Sequence, residues 1–202
     1  MTGYGNWEDF RALENDEIMK IFKDTGVLLE GHFRLTSGKH SPRFLQCAQV
    51  LRFPEHAGTL TGMMAEPFRE VGVDKVLGPA LGGIILSYEV ARWLGTEAIF
   101  TERQDGQMRL RRGFNIEPGE RILVVEDAMS TGGSVNSVME ICSQRQADIV
   151  GVSVLVDRSG GQTDFGVPFH PVVTLDIPAY SPADCPLCRE GIPLTYPKDL
   201  GM

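Results

Sequence analysis

Apolar and polar positions along this chain follow two rhythms, and the changes between them predict its elements. From Asn15 to Asp24 the apolar residues Ile18, Met19, Ile21 and Phe22 fall on one helical face. Asn15 or Asp16 is a candidate cap and Gly26 a stop. Between Leu28 and Val50 the rhythm shortens to strand-like segments around a Ser37-Gly38-Lys39-His40-Ser41-Pro42 turn. A helix over Pro54–Glu70, broken at Pro67, comes next. Short apolar runs then alternate with helical stretches: strand Lys75–Leu77, turn Gly78–Gly83, helix Ile84–Leu94 closed by Gly95, strand Ala98–Thr101. A polar, arginine-rich segment runs on to Gly113. Ile122–Val125 is apolar without interruption, as expected of a strand covered on both faces. Helix Ser134–Gln144, strand Ile149–Val156 and a last strand over Val172–Leu175 complete the series.

Strands alternating with helices predict an α/β fold, a central and mostly parallel sheet flanked by helices and built from right-handed βαβ units. The tail from Pro178 to Met202 holds five of the twelve prolines and reads as an irregular arm. No repeat, low-complexity tract or linker divides the chain. We therefore expect one domain over residues 1–202: an N-terminal helix and hood to about 55, a core over about 56–177, and an arm over 178–202.

Composition narrows the classes. With 202 residues, 42% hydrophobic and 23% charged, the chain suits one soluble globular core. Nineteen basic against 27 acidic residues give a net charge of −8, the opposite of a nucleic-acid-binding footprint. No apolar run approaches the roughly 20 residues that cross a bilayer. The start, MTGYGNWEDF, lacks a signal peptide's basic and apolar regions, so a cytoplasmic location is expected. The four cysteines do not suggest a disulfide framework, since Cys47 and Cys142 stand alone and only Cys185 and Cys188 form a C-x-x-C pair.

The chemistry is concentrated in Ile122–Val135, ILVVEDAMSTGGSV. The strand delivers Glu126 and Asp127 to the carboxyl edge of the sheet, where ligands of open α/β folds collect. Ser130-Thr131-Gly132-Gly133-Ser134 then offers hydroxyls and backbone amides at a helix N-terminus, a setting that favours an anion. Acids at one end and amides at the other suit a ligand with a phosphate and with polar hydroxyls or a magnesium-bound group. No lysine follows the glycines, and no G-x-G-x-x-G occurs there, so ATPase and dinucleotide readings are weak. Gly78-Pro79-Ala80-Leu81-Gly82-Gly83 before a helix is a second candidate anion cradle. Taken alone it is equally a structural turn. Arg158 closes an apolar strand, where a planar guanidinium suits a carboxylate.

ILVVEDAMSTGGS resembles the phosphoribosyl-pyrophosphate (PRPP) signature of the type I phosphoribosyltransferases. GHFRLTSGKHSPRF, GPALGGI and Asp157-Arg158 are similar to the orotate branch, and the likeness covers about residues 15–195. It implies a type I phosphoribosyltransferase-like fold with a small hood. It also implies transfer of phosphoribosyl from PRPP to orotate, giving orotidine 5′-monophosphate and pyrophosphate in pyrimidine biosynthesis. Glu126 and Asp127 would meet the ribose hydroxyls. Ala128, Met129, Ser130, Thr131, Gly132, Gly133 and Ser134 would complete the PRPP site. Ala80, Leu81, Gly82 and Gly83 would hold pyrophosphate, and Ser130, Arg158 and Phe44 would meet orotate. Arg103, Arg109, Arg111 and Arg112 would belong to a mobile catalytic loop, with Arg103 acting in catalysis and the loop closing over a neighbouring subunit's site. Mg²⁺ held mainly by the substrate and a homodimer with a shared site are further implications.

Some positions depart from the better-known members. Thr36 replaces a lysine, Leu45 an aromatic residue, and Leu81-Gly82 a Tyr-Lys pair, while the loop carries arginines and no histidine. Transfer to another purine or pyrimidine base, or PRPP binding by a non-catalytic regulator, are the competing readings. The chain has no room for the DNA-binding domain a regulator would add. His32, His40, His56 and His170 are too scattered in sequence to suggest a metal cluster. Cys185 and Cys188 are either a packed pair of thiols or half of a zinc site completed by Cys47, Cys142, a histidine or a second subunit.

Overall fold

The structure, a computed structural model, describes residues 6–35 and 37–197. Thr36 and the arm beyond residue 197 lie outside the described residues. Helix α1 (Asn15–Asp24) has the expected span and buries Ile18 and Phe22. Its cap is Glu14 rather than Asn15 or Asp16. The Glu14 carboxylate accepts from the backbone of Glu17, and the Glu17 carboxylate accepts from the backbone of Glu14. This reciprocal box satisfies two amides that helix geometry would otherwise leave open.

Strands β1 (Leu28–Arg34) and β2 (His40–Leu45) form an antiparallel hairpin separate from the main sheet. Beyond it the chain turns into a short helix, α2 (Ala48–Leu51), where the sequence suggested more strand. Cys47, Val50 and Leu51 bury one side of that turn, a helical spacing hidden in a short apolar run. Helix α3 (Pro54–Ala65) starts with proline at its first turn and yields to a single 3-10 turn at Glu66–Phe68. Pro67 lacks the N–H that would continue the α ladder.

The main sheet holds β3 (Lys75–Pro79), β4 (Glu97–Gln104), β5 (Gln107–Leu110), β6 (Arg121–Met129), β7 (Asp148–Asp157) and β8 (Phe169–Thr174) in the order β5-β4-β3-β6-β7-β8. All neighbours are parallel except the edge pair β4–β5. Helices α4 (Gly82–Leu94) and α5 (Gly133–Gln144) make the crossovers β3–α4–β4 and β6–α5–β7. Those two units wind outward in opposite directions from the central pair β3/β6. The crevice beyond that pair is a topological switch point, where open α/β sheets bind ligands.

Residues of β6 alternate between two cores. Leu123 and Val125 join α3 and α4 on one face, while Ile122 and Val124 join α5 on the other. This double covering is why the run is apolar at every position. Removing one such side chain, as in Leu123→Ala, would cost about 2–5 kcal/mol.

Two expectations change here. The arginine-rich segment, read from the sequence as a polar loop between strands, is a hairpin at the sheet's edge: Thr101–Gln104 pairs with Gln107–Leu110. Asp105 and Gly106 form its two-residue turn, with φ of 51° and 78°. An Asp-Gly pair is the residue choice such a turn demands. The histidines are also not all scattered. A register shift between Glu30 and Phe33 in β1 brings His32 to the same face as His40, and their rings meet at 4.9 Å between centroids. His56 and His170 stay elsewhere, beside Phe53 and Phe68. The arm is irregular, as expected, apart from a helical turn α6 (Pro186–Arg189). Among the described residues no helix is long and apolar enough to cross a membrane.

Candidate active site

Strands β3 and β6 pair only as far as Leu77 and Val124, and both continue beyond that point. The sheet thus splits at the switch point, and the loops after both strands face the gap. A cavity of about 310 Å³ lies at the end of β6, lined by Arg103, Glu126, Ala128, Met129, Ser130–Ser134 and Val135. Helix α5 begins there without a side-chain cap, and Gly132 adopts φ 71°. The first-turn amides of such a helix have no partner within it. A polar cavity against uncapped amides is a site for an anion. A side chain at Gly132 would also strike Phe165, the nearest atom lying 2.9 Å from an added Cβ. Phe165 therefore backs the loop, a contact that no local motif announces.

The second glycine turn is equally constrained. A Cβ at Gly78 would lie 2.3 Å from the Gly83 carbonyl, so the end of β3 and the start of α4 touch backbone to backbone. A Cβ at Gly82 would lie 2.2 Å from Asp127 Oδ2. The turn after β3 is thus packed on the carboxylate at the end of β6, and the two candidate cradles share one crevice.

Glu126 is buried, and its carboxyl is pushed up to about 8, first by burial and then by the neighbouring Asp127. Asp127 is raised as well, chiefly by burial, although the Ala128 N–H donates to it at 2.6 Å. Neither carboxylate has a basic ion-pair partner among the described residues. Buried Glu126 and half-buried Asp127, without a cation, are poised for ligand hydroxyls or a hard metal ion.

Arg158 follows directly. Met129 pairs with Asp157 across β6 and β7, and the Arg158 N–H donates to the Met129 carbonyl at 2.8 Å. The buried Asp157 carboxylate accepts from the Ser159 and Gly161 amides and so shapes this turn. Arg158 Nε is buried and has no hydrogen-bond partner, as does Thr101 Oγ1 on β4. An orphaned buried guanidinium donor is costly unless a ligand meets it. Cys47, just beyond the hairpin, lies within the electrostatic field of Asp127, Arg158 and Glu126, and its thiol is raised mainly by burial. Neither Cys47 nor Thr101 carries a sequence motif, and only the fold brings them here.

The four loop arginines separate. Arg103 lines the cavity and donates to the Gly106 carbonyl at 2.8 Å. Arg112 makes a two-point contact with Glu102, at 2.9 and 2.8 Å. Arg109 donates to Gln107, and Arg111 is exposed. Phe44 is half-buried and packs near Phe33, with 5.8 Å between ring centroids, and does not itself line this cavity. Leu81 is exposed.

Comparison with known proteins identifies the family. Residues 48–166 match the phosphoribosyl transferase domain family. The orotate phosphoribosyltransferase of Caldicellulosiruptor bescii is 51% identical over 185 residues, covering 92% of this chain and 97% of the relative. That of Pelotomaculum thermopropionicum is 52% identical over equal shares. This chain belongs to the orotate phosphoribosyltransferase family. Among solved structures, orotate phosphoribosyltransferase from Aeropyrum pernix superposes with a TM-score of 0.65 at 24% identity, covering 78% of this chain and 93% of that one. Adenine phosphoribosyltransferase from Rhodothermus marinus gives 0.62 at 20% identity, with 78% and 99% covered. At such identities the likeness speaks for the type I phosphoribosyltransferase fold alone.

Proposed function

We propose that this chain transfers phosphoribosyl from PRPP to orotate, releasing pyrophosphate and forming orotidine 5′-monophosphate in pyrimidine biosynthesis. The observation that carries the choice of a carboxylated base is Arg158. Its buried, unpartnered Nε stands one hydrogen-bonded residue from the Ser130 loop. A base with a carboxylate, seated beside a phosphate cradle, satisfies that donor.

The residues divide the work as follows. Amides of Ser130–Ser134 receive the 5′-phosphate at the head of α5. Glu126 and Asp127 accept hydrogen bonds from the ribose hydroxyls. Ala80–Gly83, packed on Asp127, hold the pyrophosphate. Arg158 and Ser130 orient orotate, and Phe44 approaches it from the hairpin. A ring nitrogen of orotate then attacks the anomeric carbon as pyrophosphate departs. Positive charge grows on the ribose and negative charge on the leaving group, so positioning and electrostatic stabilisation are the protein's main contributions. Arg103 supplies positive charge from the β4–β5 hairpin, which covers the site and excludes water. Mg²⁺, held mainly by the substrate, would supply charge neutralisation of pyrophosphate, and Glu126 and Asp127, neither with a basic partner, would fit a hard cation nearby.

Two subunits complete the proposal. Leu81, Ile85 and Tyr88 expose an apolar stripe at the start of α4, with Leu81 83% accessible. Their spacing puts them on one face, and a second copy would cover that face beside the pyrophosphate turn. Light scattering should therefore find a dimer, and a strict monomer at micromolar concentration would refute it.

The deciding assay follows orotate absorbance with PRPP and Mg²⁺, beside hypoxanthine, adenine and uracil. Orotate alone should be consumed. Turnover of another base without orotate turnover overturns the reading. Glu126→Gln with Asp127→Asn should abolish PRPP use while the fold persists.

A further inference from the structure

The hairpin and the C-terminal arm bring together four side chains that the reaction does not use. His32 comes from β1, His40 from β2, and Cys185 and Cys188 from the turn that opens α6. One ligand-capable atom from each lies within 4.8 Å of the other three. His32, His40 and Cys185 are buried, and Cys188 closes the cluster at the surface.

The distances within the cluster also suit ligands around one ion. His32 Nε2 lies 3.0 Å from His40 Nδ1, 3.5 Å from Cys185 Sγ and 3.7 Å from Cys188 Sγ, and Cys188 Sγ lies 3.3 Å from His40 Nδ1. Tetrahedral zinc with Zn–S of about 2.3 Å and Zn–N of about 2.0–2.1 Å requires N···N near 3.3 Å and N···S near 3.6 Å. The four separations fall within a few tenths of an ångström of those values.

Tautomer and orientation agree. His32 Nδ1 lies 2.8 Å from the Ile192 carbonyl. A carbonyl only accepts, so Nδ1 carries the proton and the lone pair sits on Nε2. That lone pair faces three neighbours at once, which one hydrogen bond cannot satisfy and a metal can. Holding a histidine through its other nitrogen is the usual support of a metal ligand. The shift in β1 register beside Gly31 and His32 re-aims the imidazole, a recurrent use of a strand irregularity next to a site. Pro186 starts the one-turn helix between the cysteines, and the Arg189 N–H donates to the Cys185 carbonyl, so the backbone folds both sulfurs to one side.

We propose that His32, His40, Cys185 and Cys188 form a closed, structural zinc site that clamps the C-terminal arm to the hairpin. All four positions are taken by protein, so no site remains for substrate or water. Two nitrogens and two sulfurs in tetrahedral array select zinc over magnesium or calcium. The mechanical need is plain. The hairpin lies outside the six-stranded sheet, and a lone two-stranded hairpin is marginal. Backbone bridges His40–Tyr180 and Phe33–Thr195 already join it to the arm, and zinc would lock the joint. Because the hairpin leads into Cys47 beside the acids, the clamp also steadies one wall of the crevice.

The test is metal analysis of tag-free protein purified without chelator. It should contain about one zinc per chain. Chelator-stripped protein titrated with Co²⁺ should develop the ligand-field bands of a tetrahedral ion together with a sulfur-to-cobalt charge-transfer band. Added Zn²⁺ should abolish both and raise the thermal midpoint. In Cys185→Ser with Cys188→Ser, zinc should drop below about a tenth of an equivalent and the charge-transfer band should vanish. If that variant fails to fold, the wild-type cobalt spectrum decides alone. Substoichiometric zinc with no tetrahedral cobalt spectrum, or an unchanged spectrum in the variant, overturns the proposal.

Discussion

Replacing Gly82 with alanine tests how tightly the two cradles are coupled. The backbone at Gly82 is not in the left-handed region, so alanine is conformationally allowed. The difficulty is Asp127, whose Oδ2 would sit 2.2 Å from the new methyl and Cγ 2.7 Å, whereas ordinary contact begins at 3.4 Å. The carboxylate must withdraw by about 1.2 Å, and a displacement of that size at a positioned group lowers catalysis by about 10²-fold. In free energy that is about 2.7 kcal/mol. The assay is steady-state orotate consumption at varied PRPP, read as kcat/KM, with the thermal midpoint measured alongside. We expect the hundredfold loss with little change in midpoint. In an Asp127→Ala background the methyl has no carboxylate to push, so Gly82→Ala should add almost nothing, a non-additivity characteristic of groups in contact. Gly58→Ala is the control. Its Cβ would meet only Arg92 Nη2, at 3.8 Å inside α3, and it should stabilise by about 0.5–1 kcal/mol. Wild-type kcat/KM in Gly82→Ala, or a full further loss in the Asp127→Ala background, would refute the coupling.

Burial raises the Glu126 carboxyl above its ordinary range, so the protonated form favours the fold and that contribution is lost as pH climbs toward about 8. The unliganded protein's midpoint should fall over that window more steeply than in Glu126→Gln, and parallel slopes would contradict the assignment. Arg158→Ala should raise KM for orotate by about 10- to 100-fold, the worth of a charge-assisted hydrogen bond, and leave KM for PRPP within a few-fold. Equal effects on both substrates would return Arg158 to a structural role. Arg103→Ala should lower kcat by about tenfold or more. Arg112→Ala, which only breaks an exposed pair with Glu102, should change stability by less than about 1 kcal/mol and kcat hardly at all. Matching losses from the two would show that the hairpin acts as a charged surface rather than through Arg103.

Much of this protein is local and was therefore legible. The period of apolar residues sets the span of α1, the double-faced apolar run sets β6, and the acid-acid-hydroxyl-glycine order marks the loop before α5. Each depends on neighbours a few residues apart, whose spacing the backbone geometry converts directly into faces. The same locality explains where reading stopped. Asp105-Gly106 is a turn signal, but whether it joins strands depends on β4 continuing past Thr101, which needs a partner for pairing.

The sequence by itself thus determined the four longer helices, the central strands, the fold class and the acid-hydroxyl-glycine order of the loop before α5. Tertiary structure decided which distant groups meet. Splitting of β3 from β6 set Gly82 against Asp127, the β6–β7 register brought Arg158 beside the loop before α5, and a one-residue shift in β1 turned His32 toward His40, Cys185 and Cys188. Apart from His32 and His40, eight residues apart, these contacts span tens to more than a hundred residues. They follow from strand order and packing, and a local pattern carries no record of either.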